Sequence, residues 1–273
     1  MRTIIAKIFR FLGFTVDENP YDSEDAVRQY YVECHLQKPE EAVLNELRAK
    51  LPKMRMLDIG VGAGRTTYHF APLAKEYIGV DYSKNMIGAC RRKFRNYPKK
   101  FSFVVADARD LNLFGDNYFD FVLFSFNGID CMNHDDRLRT LREIRRVTKD
   151  GGYFCFSAHN LNYAWNFATF KLSRKPAHLL LEARRLFLTR LFNRKIWKIL
   201  RRKSQNKQQY MIIYDVETRA RKMYYIAPKE QIDQLTNLNF KRIRSYDLLG
   251  KEIKNPSELQ NATDCWIYYL CTV

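Results

Sequence analysis

Short apolar runs alternate with longer amphipathic segments through the middle of the chain. Five runs read as strands: MRMLDIG (54–60), EYIGVD (76–81), FSFVVAD (101–107), FDFVLFSF (119–126) and GYFCFSA (152–158). They are apolar on both faces, as strands inside a covered parallel sheet must be. Between them, 64–73, 83–95 and about 135–147 carry helical periodicity. The turn Asp150-Gly151-Gly152 is expected to end the last of these helices. Strand and helix in alternation predict an α/β, Rossmann-like doubly wound sheet with helices on both faces. Upstream, 22–51 is helical in pattern, and Pro39 is expected to open a second helix with Val43, Leu44 and Leu47 on one face. Downstream, a helix at 228–237 precedes two final strands, 240–249 and 264–273. The chain thus divides into N-terminal helices (1–52), a core (53–160), an insertion (161–222), and a helix with the last two strands of the same domain (223–273).

The strongest chemical signal is LDIGVGAGRTT, 57–67, which leaves the first strand and enters a helix. Gly60 permits a sharp turn, Gly62 a close approach of backbone to ligand, and Gly64 a close pass over the helix start. A dinucleotide loop spaces its glycines G-x-G-x-x-G, to seat a pyrophosphate on the helix N-terminus. Here the spacing is G-x-G-x-G, and the sixth position is Arg65. A zwitterionic amino-acid group fits this loop better: Asp58 suits an ammonium, and the loop N–H groups suit a carboxylate. Asp81 ends the second strand, 21 residues after Gly60, where an acid accepts both hydroxyls of a ribose. Tyr82 and Met86 follow it and can pack on a base, although Met86 equally suits a helix core. Asp107 follows the third strand, where its carboxylate can accept from an exocyclic amine while the Ala108 N–H donates to a ring nitrogen. Capping of the next helix is the alternative role for Asp107. Three acids at three strand ends are hard to explain as packing, because a charge there must be solvated or paired.

LDIGVGAGRTT, GVDYSKNM, VVADARDL, FDFVLFSFNGID and LREIRRVTKDGGYFCFSAHN resemble, in order and spacing, the motifs of class I S-adenosylmethionine (SAM)-dependent methyltransferases. The likeness covers roughly 50–160, and more loosely the C-terminal strands. It implies a seven-stranded sheet whose last strand is antiparallel, SAM as cofactor, and a small-molecule type of acceptor. It places Asp58, Gly60, Gly62 and Gly64 at the amino-acid end of SAM, and Asp81 at the ribose. Tyr82, Met86, Asp107 and Ala108 would frame the adenine, and Ser125 and Phe126 would lie beside the sulfonium. An upstream aromatic, Tyr21, Tyr30 or Tyr31, is expected to close over the cofactor. The chain departs from the family at VTKDGG, where a proline often precedes the glycine pair. It lacks the Asp-Pro-Pro-Tyr-like motif of adenine-N6 enzymes and the Pro-Cys nucleophile of cytosine-C5 enzymes.

His159, just past the fifth strand, is the best candidate for a general base, although a binding or structural role at the rim suits it too. Asn127, Asn160, Tyr224 and Tyr225 are candidates to contact the acceptor. No metal site is expected: no two of the six cysteines are spaced C-x-x-C. Cysteines in apolar runs suggest a reducing compartment, hence a cytoplasmic protein. No run of apolar residues is long enough for a transmembrane helix. MRTIIAKIFRFLGF at the N-terminus is expected to be a helix packed on the domain, with a membrane anchor or targeting segment as alternatives.

The basic excess is concentrated in the insertion. The chain holds 47 Lys and Arg against 30 Asp and Glu, a net +17. Residues 161–210 hold 13 Lys or Arg against one acid, Glu182, and so carry +12 of that excess. The basic helical pattern at 178–203 sets Leu180, Phe187, Leu191 and Trp197 near helical spacing. Such a segment can pack as a lid, lie on an anionic membrane, or grip RNA. The lid is favoured, and nucleic acid is the least favoured partner. The expected acceptor is a small molecule or a lipid; an RNA methyltransferase and a non-catalytic SAM-fold binding protein are the alternatives. Oligomeric state is not legible.

Overall fold

A computed structural model of the chain describes residues 22–97, 101–172, 175–194, 196–197, 209–215 and 221–273. The N-terminal segment, with Tyr21, and most of 195–208 lie outside the described residues.

The expected strands are all present: β1 (Arg55–Ile59), β2 (Glu76–Asp81), β3 (Phe101–Val105), β4 (Phe119–Phe124) and β5 (Thr148–Asn160). The chain continues with β6 (Tyr210–Asp215), β7 (Arg221–Ile226), β8 (Lys241–Tyr246) and β9 (Trp266–Thr272). Seven of them form one sheet in the order β3-β2-β1-β4-β5-β9-β8. The first five are parallel, and β9 runs antiparallel to both β5 and β8. Helices cover both faces. α1 (Glu24–Val32), α2 (Lys38–Leu47), the single turn α3 (Thr67–Phe70) and α4 (Lys84–Lys93) precede β4, and α5 (His134–Val147) follows it. Strand side chains alternate across the sheet. Leu57 and Ile59 pack with Leu141, Ile144 and Leu235 on one face, and Met56 packs with Val43, Leu44, Leu47 and Ile87 on the other. Each fully buried side chain of this kind contributes roughly 1.5–3 kcal/mol.

Three expectations need correction. The segment 64–73 is mostly turn, with only the four residues of α3 helical. The loop descends from Gly60 through left-handed backbone at Gly60, Gly62 and Gly64, and that geometry delays the helix. Asp150-Gly151-Gly152 lies inside an irregular start of β5. The glycine at 151, with φ +75°, bends the strand so that its N–H still reaches the Val273 carbonyl at 2.7 Å.

The third correction concerns the insertion, which is not simply helical. After α6 (Leu161–Ala164) and α7 (Pro176–Phe192), β6 and β7 form an antiparallel hairpin that enlarges the sheet to nine strands. β5 outruns β4. His159 and Asn160 therefore have an open edge, and Tyr225 and Ile226 of β7 pair with it. β9 holds the opposite edge through the His159–Trp266 pair. α7 ends at Asn193, whose side chain donates to and accepts from the Tyr214 backbone at 3.0 and 2.9 Å. Trp197 thus lies past the end of the helix that was expected to carry it.

Candidate cofactor and acceptor site

The carboxyl ends of β1, β2 and β4, with the segment after β3, enclose a cavity of about 500 Å³. That is within the range of small-molecule sites. Asp58, Gly60, Gly62, Asp81, Tyr82, Met86, Asp107, Ala108, Ser125 and Phe126 all line it. So does Tyr30, one of the upstream aromatics, whereas Tyr31 packs its ring under the Lys93 ammonium outside the cavity.

The glycine loop is tied to β2. The Gly62 N–H donates to Asp81 Oδ2 at 3.0 Å, and Val61 N–H donates to the Val80 carbonyl. Asp81 Oδ1 accepts from the Ser83 N–H at 2.9 Å. Burial pushes the Asp81 carboxyl above its ordinary value, against these bonds. At Gly62 no atom of the described residues lies within 4 Å of where a Cβ would sit, so among them the loop backbone is open to the cavity. Gly64 is different. It does not line the cavity, and its Cβ would stand 2.4 Å from Phe94 Cε2 at φ +85°. Its lack of a side chain lets the loop lie against α4. Gly64→Ala should therefore lower the thermal midpoint, at a cost of roughly 1–3 kcal/mol from strain and overpacking; an unchanged melting curve would contradict this packing role.

Asp58 is buried on the α2 side of β1. Its Oδ2 accepts from Thr66 Oγ1 at 2.5 Å and from the Tyr77 hydroxyl at 2.6 Å. Burial outweighs both bonds and pushes the carboxyl up to about 6. Asp107 is part-exposed and clasped by Arg109, with Nη2 to Oδ2 at 2.6 Å, while Arg109 Nη1 reaches Asp136 at 3.1 Å. The guanidinium holds the Asp107 carboxyl below its ordinary value.

A second layer holds the site from behind. Glu40, at the start of α2, is fully buried and takes both forks of Arg65 at 2.6 Å. The same carboxylate accepts from the Ser125 hydroxyl and from the Tyr268 hydroxyl. Arg65 in turn lies over the Phe126 ring, 5.1 Å from its centroid. One buried charge pair thus joins α2, the glycine loop, the tip of β4 and β9.

The proposed acceptor residues fall elsewhere. His159, Asn127, Asn160, Tyr224 and Tyr225 do not line the cavity. Asn160 caps α6 by accepting from the Asn162 N–H at 2.9 Å, and donates to the Ala262 carbonyl. Tyr224 and Tyr225 are buried in β7. The Tyr224 hydroxyl meets His134 Nδ1 at 2.8 Å, and Tyr225 donates to Asp215 at 2.8 Å. His159 is buried, and its Nδ1 and backbone N both face Asp130 Oδ2, at 2.8 and 2.6 Å. Asp130 is held by the fully buried Arg137, which also reaches Gln231 Oε1 at 2.5 Å. A carboxylate at Nδ1 accepts the ring proton there and orients the imidazole, turning Nε2 toward Asn127. Nε2 lies 3.5 Å from Asn127 Nδ2. Asn127 sits between the cavity-lining Phe126 and Gly128, and its Oδ1 is buried without a hydrogen-bond partner among the described residues.

Sequence reasoning missed Glu40, Asp130 and Arg137. Glu40 is a first-turn acid beside Pro39, and nothing in the sequence sets it apart from Glu41. Asp130 in NGID and Arg137 in an arginine-rich helix pair with each other seven residues apart, but nothing local marks the pair as buried, and their other partners lie 29 residues away at His159 and 94 at Gln231. Among the described residues, no cluster of three His, Cys, Asp or Glu could hold a metal.

Residues 56–152 match a family described as a methyltransferase domain. A demethylmenaquinone methyltransferase of Renibacterium salmoninarum is 31% identical over 102 residues, 37% of this chain and 40% of that protein. A ubiquinone/menaquinone biosynthesis C-methyltransferase of Vibrio cholerae is 36% identical over 107 residues, 37% of this chain and 39% of that protein. The matches thus span about two fifths of these relatives. Among solved structures, the CcbJ methyltransferase of Streptomyces caelestis superposes with TM-score 0.60 at 18% identity, covering 94% of this chain and 99% of that one. The 1,6-didemethyltoxoflavin-N1-methyltransferase of Burkholderia thailandensis, solved with S-adenosylhomocysteine, gives 0.57 at 14%, covering 99% and 89%. At those identities the structures speak for the fold alone. Fold, strand order and motif match agree: residues 56–152 form a methyltransferase domain of the class I, SAM-dependent family.

Proposed function

We propose that this protein transfers the methyl group of SAM to a small-molecule or lipid acceptor. The observation that carries the reading is the cavity in which the open backbone at Gly62 and two buried carboxylates, Asp58 and Asp81, converge. These features fit an adenosyl amino acid. The Gly62 loop and Asp58 would hold its amino-acid end, Asp81 the ribose hydroxyls, and Tyr82, Met86 and Ala108 the adenine. Asp107 reaches the adenine only by sharing its carboxylate with Arg109. When bound, SAM supplies an electrophilic methyl for in-line displacement; the chain's own work is alignment and exclusion of water.

The acceptor would enter on the side of Phe126. Behind Phe126, outside the cavity lining, further rings follow one another: Phe126 to Trp266 at 6.1 Å, Trp266 to His159 at 6.1 Å, and His159 to Tyr225 at 4.8 Å. The rings that line the cavity, Tyr30, Tyr82, Phe124 and Phe126, favour a flat or lipophilic acceptor, in keeping with the quinone-related names of the relatives. Asn127 Oδ1, without a partner among the described residues and flanked by the cavity-lining Phe126 and Gly128, suits a hydroxyl or amine donor, and His159, behind Asn127 and oriented by Asp130, would be the base that the proton reaches. Asp130 is then a positioning residue.

The deciding experiment incubates the protein with methyl-labelled SAM and separate extracts of metabolites, lipids and RNA. Label in a metabolite or lipid is the expected result, and label only in RNA would overturn the acceptor class. His159→Gln should lower kcat by about 10²–10⁴, the usual contribution of a general base, and should leave SAM affinity intact. An unchanged kcat and pH profile would remove His159 from the chemistry.

Asp58 makes cofactor binding depend on pH. The folded chain keeps the Asp58 proton up to about 6, against 3.8 for the free side chain. Between those values the folded state binds more protons than the unfolded state, so ionising Asp58 costs stability as pH rises through this window. A bound ammonium favours the ionised form. SAM affinity should therefore climb between about pH 5 and about pH 7, by at most tenfold per unit, then level off. Calorimetry in two buffers of different ionisation enthalpy reads the proton release directly; a flat profile would place the ammonium elsewhere.

A further inference from the structure

α7 turns apolar side chains outward. Leu180 and Phe187, seven residues apart and so on one face of the helix, are 74% and 63% exposed. Leu181 is 60% exposed, and Leu172, in the loop leading to the helix, is 87% exposed. The opposite face is anchored. Leu188 and Thr189 are buried, Arg185 donates to the carbonyls of Phe167 and Thr169 at 3.1 and 2.6 Å, and Asn193 is fastened to β6. The helix is therefore held on the protein with large aliphatic and aromatic groups directed at solvent, which a soluble surface seldom tolerates without a partner. Exposed cations surround them: Lys171, Lys175, Arg184, Arg190 and Arg194. Arg184 lies one turn from both Leu180 and Phe187.

We infer that this face of α7, with Leu172, docks on an anionic membrane surface. Apolar groups would enter the acyl boundary while the cations meet lipid phosphates. The charge argues for this occupant. A second copy of the chain would set two strongly basic segments against each other, and RNA would reward the cations but gain nothing from exposed leucines. The position of α7 adds a reason. It packs on the β6–β7 hairpin, which pairs with the end of β5 at His159 and Asn160, so docking would bring a membrane to the side of the molecule that carries the proposed acceptor path. The inference stands apart from methyl transfer, because vesicle binding is read without SAM or acceptor.

The test is co-sedimentation of the full chain with phosphatidylcholine vesicles, with and without phosphatidylglycerol. The expected result is partitioning onto the anionic vesicles, weakened by salt. The double variant Leu180→Ser, Phe187→Ser should partition on the order of tenfold or more less tightly; unchanged circular dichroism and SAM binding would show that it is folded. Four results would overturn the inference: no partitioning by the native chain, equal partitioning by the folded double variant, equal binding to neutral vesicles, or a dimer in sizing experiments that the double variant abolishes. Tighter binding of a duplex or single-stranded RNA that the double variant leaves unaffected, without vesicle binding, would make nucleic acid the partner instead.

Discussion

Replacing Asp81 with alanine should weaken SAM binding by on the order of 100-fold while the protein stays folded. A hydrogen bond to a charged acceptor contributes roughly 1.5–3 kcal/mol, and two ribose hydroxyls would be lost as donors. Each 1.4 kcal/mol is about tenfold in affinity. Asp81 is also the anchor of the glycine loop through the Gly62 N–H, so the alanine variant loosens the backbone that faces the amino-acid end. Asp81→Asn separates these effects. Its amide oxygen can still accept from Gly62, but the charge is gone, and an intermediate affinity is expected. Isothermal titration measures both. Native affinity in the alanine variant would mean that the ribose lies elsewhere.

Glu40→Ala should be the most destabilising single substitution in the site, by about 3–5 kcal/mol, because it strands the buried Arg65 guanidinium without its counter-charge. The thermal midpoint would fall on the order of 10 °C. The carboxylate lies behind the cavity rather than in it, yet four other side chains or backbone groups depend on it: Arg65, Ser125, Tyr268 and the Gln37 N–H. SAM binding should weaken as a consequence, since Arg65 and Ser125 line the cavity. The double variant Glu40→Met, Arg65→Met removes both charges and should recover much of the lost stability, because an apolar pair in a buried site avoids the desolvation cost. A melting curve of Glu40→Ala that superposes on the native one would show that the pair carries no net stabilisation.

How much of this was legible beforehand differs from residue to residue. Asp58, Gly60, Gly62, Asp81 and Asp107 were readable because each sits at the end of an apolar run, and a strand's end is set by local pattern. Their common position at the carboxyl edge follows once the sheet is parallel. Gly64 was readable as the glycine of a close pass, but its partner was not, since Phe94 comes 30 residues later. His159 was expected at the rim; it lies buried behind Asn127 instead, oriented by Asp130 on a different element. Tyr224 and Tyr225 look like pocket residues in a linear reading. They are buried in β7, which pairs with the overhang of β5, and that overhang exists only because β4 stops at Phe124.

By itself the chain's order of apolar and polar residues determined the class of fold, the strand order's parallel core and the carboxylates that face one cavity. Periodicity and strand-end chemistry are local, and short-range patterns carry them whole. The tertiary structure alone decided which charges are paired. Glu40 with Arg65, and Asp130 with Arg137 and His159, acquire their meaning from burial, and in the pairings with Arg65 and His159 from partners distant in the chain. It also decided that one face of a basic helix would be anchored and the other left apolar toward water. Desolvation and contact are properties of the folded surface, and no window of sequence contains them.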